Sequence, residues 1–220
     1  MAPKRNPNLQ PATIHYRELR RTIGLLGMFF PFIVALGGKA FFCLSLKPSL
    51  SQYYYSDMRD VFVGLLFAIG VFLSAYRGYE LRDRYIGPAA GVFAVGIALF
   101  PMPFSDALPC PHPWASYVHY AFATAFFIVL IYFSLFEFTR TSGAWTPQKR
   151  IRNGIYRACG WIMIVCLIGM ILNFIIEAAD FEPLKTWLAA INPIFWGEAI
   201  SIFFFGVSWL VKGETVFRDR

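Results

Sequence analysis

The sequence predicts an all-α polytopic membrane protein with six transmembrane helices and both termini in the cytoplasm. Three observations carry that expectation. Of 220 residues, 57% are hydrophobic and only 15% charged, against about 25% charged in soluble domains, and the mean hydropathy is +0.53. Apolar runs of spanning length recur along the chain, and a bilayer is the solvent that tolerates their outward faces. All but four of the 20 lysines and arginines fall on one side of the alternation those runs impose, as the positive-inside rule requires of the cytoplasmic side.

The chain divides into a cytoplasmic segment 1–22, a transmembrane domain 23–211 and a cytoplasmic tail 212–220. Residues 1–12 are rich in Pro and Asn. The N-terminus is too polar for a cleaved signal, so the first apolar run is expected to stay as an anchor. Thr13–Arg21, TIHYRELRR, reads as a short basic amphipathic helix at the inner surface. The first span runs from about Ile23 to Leu46, apolar except for Lys39. Pro48 ends regular structure in the outer loop that follows. The second span is Asp60–Gly78, and the stretch from Tyr53 to Tyr85 around it carries polar clusters at both ends. Pro88 opens a third span, Ala89–Phe104, which Pro101 and Pro103 terminate. After the Pro-rich outer loop SDALPCPHPW, Trp114 anchors a fourth span to Phe138. The most basic loop leads into a fifth, Ile155–Ile176. The outer segment EAADFEPLKTWLAAINP holds an amphipathic surface helix, and the sixth span is Ile194–Val211. The four basic residues left outside are Lys39, Lys47, Arg59 and Lys185. Small residues inside the spans (Gly64, Gly70, Ala90, Gly91, Gly96, Gly206) read as close helix packing.

A net charge of +7 in a soluble chain would suggest nucleic acid. Here topology accounts for it, no nucleic-acid motif is present, and no nucleic-acid partner is expected. The four cysteines, Cys43, Cys110, Cys159 and Cys166, form no CxxC pair, which argues against a zinc knuckle or redox motif. Cys43 and Cys110 share the predicted outer side, which leaves a disulfide between them open.

Ionisable side chains in hydrocarbon are costly and normally face the bundle interior. Lys39 sits roughly 9 Å inside the outer end of the first span, His119 and Glu198 roughly 7–8 Å inside theirs, and Asp60 opens the second. If those spans adjoin, the four meet in a polar cavity open to the outside, with Arg59, Tyr55 and His112 among the residues at its mouth. The structural alternative is an ion network, Lys39 with Asp60 or Glu198, that only sets helix register. One histidine and two carboxylates are a conceivable divalent-metal set, but the lysine competes for the carboxylates, so neither metal nor cofactor is expected. At the inner ends Arg77, Arg82, Arg84 and Lys212 are placed to meet lipid headgroups.

No P-loop, dinucleotide fingerprint, HExxH or GxSxG occurs. Ser116-x-x-His119 faintly resembles the Ser and His of the ceramidase and adiponectin-receptor group. That group has seven helices and a histidine pair on the last, where this chain has Glu198, so its mechanism is not carried over. YYYSDMRDVFVGLLFAIGVFLSAYRGYE, AGVFAVGIALFP and EAISIFFFGVSWLVKG resemble a family of uncharacterised bacterial membrane proteins of about this length, defined by a domain of unknown function. The resemblance spans roughly Arg20 to Gly213. It implies the six-helix fold and a bacterial inner-membrane setting, and it implies no activity.

The leading functional expectation is an outward-facing polar cavity binding a small ligand, lipid headgroup or ion, as in a receptor, transporter or channel subunit. An intramembrane lipid hydrolase built on His119, Asp60 and Glu198 is a second reading, and an oligomeric scaffold or pore a third. Membrane lipids are the expected partners, and homo-oligomerisation stays open.

Overall fold

Helices α1 (Tyr16–Phe42) and α7 (Pro193–Lys212) form the pair around which the rest is arranged. Between them in the chain lie α2 (Arg59–Ala75), α3 (Asp83–Leu99), α4 (Pro113–Tyr132), α5 (Pro147–Ala178) and α6 (Glu182–Ile191). The computed structural model describes residues 16–76, 83–102, 113–140 and 145–215, and among these no strand occurs.

Among the described residues four helices are long and apolar enough to cross a membrane: Tyr16–Phe42, Trp114–Glu137, Pro147–Ala178 and Pro193–Lys212. The helices α2 and α3, of 17 residues each, extend about 25 Å at helical rise. That is shorter than a typical hydrocarbon core of about 30 Å.

The tightest crossing joins α1 to α7 through glycine. A Cβ on Gly24 would lie 2.8 Å from the Leu210 amide nitrogen, and one on Gly206 would collide with the backbone of Met28. Gly70 and Gly91 meet the same way between α2 and α3. With little hydrophobic driving force between helices in lipid, such close approach is what packing energy depends on. By contrast Gly64 faces open space. At the end opposite the Ser51–Tyr55 turn, Trp209 is fully buried and packs edge-on against Tyr76 (4.8 Å) and Phe138 (5.0 Å), with Phe133 at 5.4 Å.

Four local features depart from the sequence reading. Pro88 does not open α3 but lies inside it, the helix starting at Asp83, and α5 starts at Pro147, eight residues before the expected Ile155, within the basic loop. Tyr16–Arg21 is no separate interfacial helix but the start of a continuous 27-residue α1. Leu19 and Arg20 are buried, with Arg20 held near the Tyr16 and Tyr76 rings at 5.6 and 5.7 Å. Arg17 pairs with Glu214 at 2.8 Å and Arg21 donates to the Gly213 carbonyl, so this turn is tied to the C-terminal end of α7. The helix then stops at Phe42, four residues before expected, where Cys43 adopts a left-handed φ of 53°. The last departure is a π-helical turn, Phe133–Glu137, at the end of α4.

The expected surface helix is α6. Leu184, Trp187, Leu188 and Ile191 recur at helical spacing along it, and none of its residues is buried. Left-handed Asn192 (φ 49°) turns the chain from α6 into α7.

Candidate ligand pocket

The site begins with a loop that folds back over the helix ends. After Pro48 the chain forms a 3-10 turn, Ser51–Tyr55, and three residues of this stretch are core: Leu50, Tyr53 and Met58, each no more than 3% exposed. Two bonds from α7 hold it. The Phe195 amide donates to the Pro48 carbonyl at 3.0 Å, and the buried Glu198 carboxyl accepts from the Leu50 amide at 2.6 Å and from the Ser51 hydroxyl at 3.3 Å. Phe195 lies in the first turn of α7, where amides have no partner within the helix, so its N–H is free to bond outside it. On the other side, the Tyr55 hydroxyl donates to the Met102 carbonyl at 2.7 Å. Ser56 accepts from the Met58 amide while donating to the Tyr53 carbonyl, and so leads the turn into α2.

This framework opens a cavity of about 540 Å³ lined by Lys47, Tyr54, Tyr55, Ser56, Asp57 and Arg59, with Leu44 and Pro101 as its apolar walls. Arg59 is positioned by Tyr54: its guanidinium stands 4.5 Å from the ring centroid and donates to the hydroxyl at 2.8 Å. Tyr54 in turn meets Tyr55 edge-on at 5.2 Å. Burial holds the Tyr55 phenol above its usual range, with Tyr54 adding to the rise and Arg59 opposing it. Tyr55 therefore stays a neutral donor. Among the described residues, two cations, one carboxylate and hydroxyl groups share this cavity, a composition that suits an oxyanion.

The gathering of four ionisable groups does not occur. Lys39 and Asp60 are both exposed. Lys39 shares a face with Phe32 and Leu36, whereas the buried stripe of α1 runs through Phe30, Val34 and Gly38. Asp60 lies off the stripe Phe62, Leu66, Ile69 and Leu73. Neither makes an ion pair with a described residue. His119 and Glu198 are buried, but each is committed to backbone. The His119 Nδ1 lies 2.6 Å from the Phe100 carbonyl, and a carbonyl can only accept, so Nδ1 carries the proton. That bond ties α4 to the end of α3. Of the expected mouth residues, Arg59 and Tyr55 do line the cavity. His112, Arg77 and Arg82 and the side chain of Arg84 lie outside the described residues. Lys212 turns its ammonium onto the Phe138 carbonyl (3.4 Å) and ring (5.5 Å). Cys43 is an exposed free thiol, and Cys110 lies outside the described residues. Among the described residues no three His, Cys, Asp or Glu side chains come together as a metal cradle.

Sequence reading missed Lys47, Ser56 and Asp57 as lining residues and Ser51 as the second partner of Glu198. Lys47 carried a usable signal, being one of only four cations on its side. No protein-family model matches the chain, and neither a curated protein nor a solved structure matches it significantly.

Proposed function

We propose that the chain is a six-helix protein of a bacterial inner membrane, with both termini cytoplasmic, whose outer face binds a small phosphate-like anion, either free or as a lipid headgroup. The cavity between the Ser51–Tyr55 turn and the start of α2 carries this reading: among the described residues, Lys47 and Arg59 face one space with a single acidic residue, Asp57, in its lining. Support for six spans comes from the apolar character of α2 and α3 beside the four longer helices. Support for the orientation comes from the charge distribution.

The test uses protein in nanodiscs of zwitterionic lipid, with radiolabelled inorganic phosphate and glycerol phosphate as probes. Saturable binding is expected, weakened about tenfold or more by Arg59→Gln and by Lys47→Gln, because each removes a charge-assisted bond of about 1.5–3 kcal/mol. Binding that is equal in all three proteins refutes the proposal. With the four native cysteines replaced by serine, cysteine labelling at position 47 from the outside, absent at position 149, checks the orientation.

A further inference from the structure

We propose that the flank between α1 and α7 is a binding site for one anionic glycerophospholipid, distinct from the polar cavity above. A groove of about 330 Å³ runs between these helices, lined by Phe32, Leu36, Phe195, Trp196, Ile200 and Phe203 among other apolar residues. That volume is at the lower end of ligand pockets, about 300–1,000 Å³. Its floor is the edge-to-face contact of Phe32 with Phe203 at 5.9 Å. It opens sideways on helices that are themselves long and apolar enough to span a membrane, where acyl chains are the solvent.

The rim identifies the occupant. Lys39 is seven residues beyond Phe32, about 20° away in helical phase, and one turn above Leu36, about 4.5 Å along the axis. It therefore sits on the groove's own face, at its end. Side chains on a helix lean toward its N-terminus, so the Lys39 ammonium can reach the groove's end from one turn beyond its lining residues. The register of the two antiparallel helices places Trp196 at the same level: Gly24 lies against Leu210, Gly206 against Met28 and Phe32 against Phe203. Lys39 is exposed and makes no ion pair with a described residue, and Trp196 is 52% exposed. A lipid-facing cation one turn inside a helix end is costly unless something negative meets it. An ammonium and an indole donor above an apolar slot match a phosphate above an acyl chain.

Native mass spectrometry of protein in mild detergent, offered equal phosphatidylglycerol and phosphatidylcholine of matched chains, reads the site. Wild type is expected to retain one phosphatidylglycerol in preference. Lys39→Gln, at an exposed position, should cut that retention about tenfold, to the phosphatidylcholine level. Ile200→Trp, which fills the groove from its exposed wall, should reduce retention of both lipids. The loss caused by Lys39→Gln should be the same with and without Arg59→Gln, which separates this site from the polar cavity. The inference is overturned by no headgroup preference in wild type, by unchanged retention in Lys39→Gln or in Ile200→Trp, or by a protein dimer that Lys39→Gln dissociates in place of lost lipid.

Discussion

Replacing Glu198 by alanine tests how the polar cavity is held. The carboxyl is buried in α7 and accepts from the Leu50 amide at 2.6 Å and the Ser51 hydroxyl at 3.3 Å. Alanine leaves a buried amide without an acceptor, at about 1–3 kcal/mol. The hydroxyl can rotate to another acceptor, so the amide carries most of the cost. Two things stay in place: the bond from the Phe195 amide to the Pro48 carbonyl, and the burial of Leu50 and Tyr53. The loop should therefore open locally more often without unfolding the bundle. Each 1.4 kcal/mol is tenfold in an opening equilibrium, so hydrogen exchange at Leu50 should accelerate about 5- to 150-fold while the middle of α7 keeps its protection. Glu198→Gln retains a carbonyl oxygen for Leu50 and should fall between wild type and alanine. Because Tyr54 and Tyr55 ride on the same turn, phosphate binding should weaken in parallel with exchange. Unchanged exchange at Leu50 in Glu198→Ala refutes the reasoning, since the turn would then be fixed by its apolar contacts alone.

Other perturbations separate the remaining contacts. Gly206→Ala drives a methyl into the Met28 backbone and should lower thermal stability in detergent by about 1–3 kcal/mol, whereas Gly64→Ala, which meets nothing within 4 Å, should raise it by up to about 1 kcal/mol through helix propensity. His119→Phe removes the bond to the Phe100 carbonyl and should increase proteolysis beyond α3, and phosphate binding should weaken with it because Pro101 walls the cavity and Met102 accepts from Tyr55. At the α5–α6 connection, Lys185 holds Asp180 below its ordinary value of 3.8 and is itself raised above 10.5, chiefly by Asp180. A depressed carboxyl stabilises above its unfolded value and loses that contribution as pH falls through the folded one. A raised ammonium stabilises below its unfolded value and loses it as pH rises through the folded one. Amide protection around residues 180–185 should thus be flat between about pH 4 and 10 and fall outside that window, and salt should flatten it because the pair is exposed.

The element pattern was legible because it rests on apolar run length and on proline. Pro193 opens α7 and the 182–191 segment showed its helical spacing, whereas Pro88 lies inside α3 and Pro147 opens α5 within a stretch whose composition reads as a basic loop. Boundaries moved where tertiary contacts outweighed local signals. The basic TIHYRELRR stretch reads as interfacial by composition, yet Arg20 is buried near Tyr16 and Tyr76, and the Arg17 ion pair to Glu214 reaches almost two hundred positions along the chain. Composition cannot foresee a partner at that separation. Nor could it foresee that Glu198 serves the Leu50 amide, because a loop's fold-back register carries no periodicity.

The Lys39 error has a more general cause. Counting residues from a span end gives depth, and the depths of Lys39, His119 and Glu198 were similar by that count. Depth alone does not bring side chains together; azimuth must agree as well. For α1 the azimuth was readable. Phe30, Val34 and Gly38 form one stripe, Phe32, Leu36 and Lys39 another, and glycines at 24, 27 and 38 mark the first as the close-packing face. Placing Lys39 on the glycine-poor face turns a buried cavity residue into a cation presented to lipid. His119 and Glu198, on the packed faces of α4 and α7, found backbone partners instead. A polar side chain in a span thus has two ways to lower its cost, a backbone group inside or a headgroup outside, and helical phase decides which one it can reach.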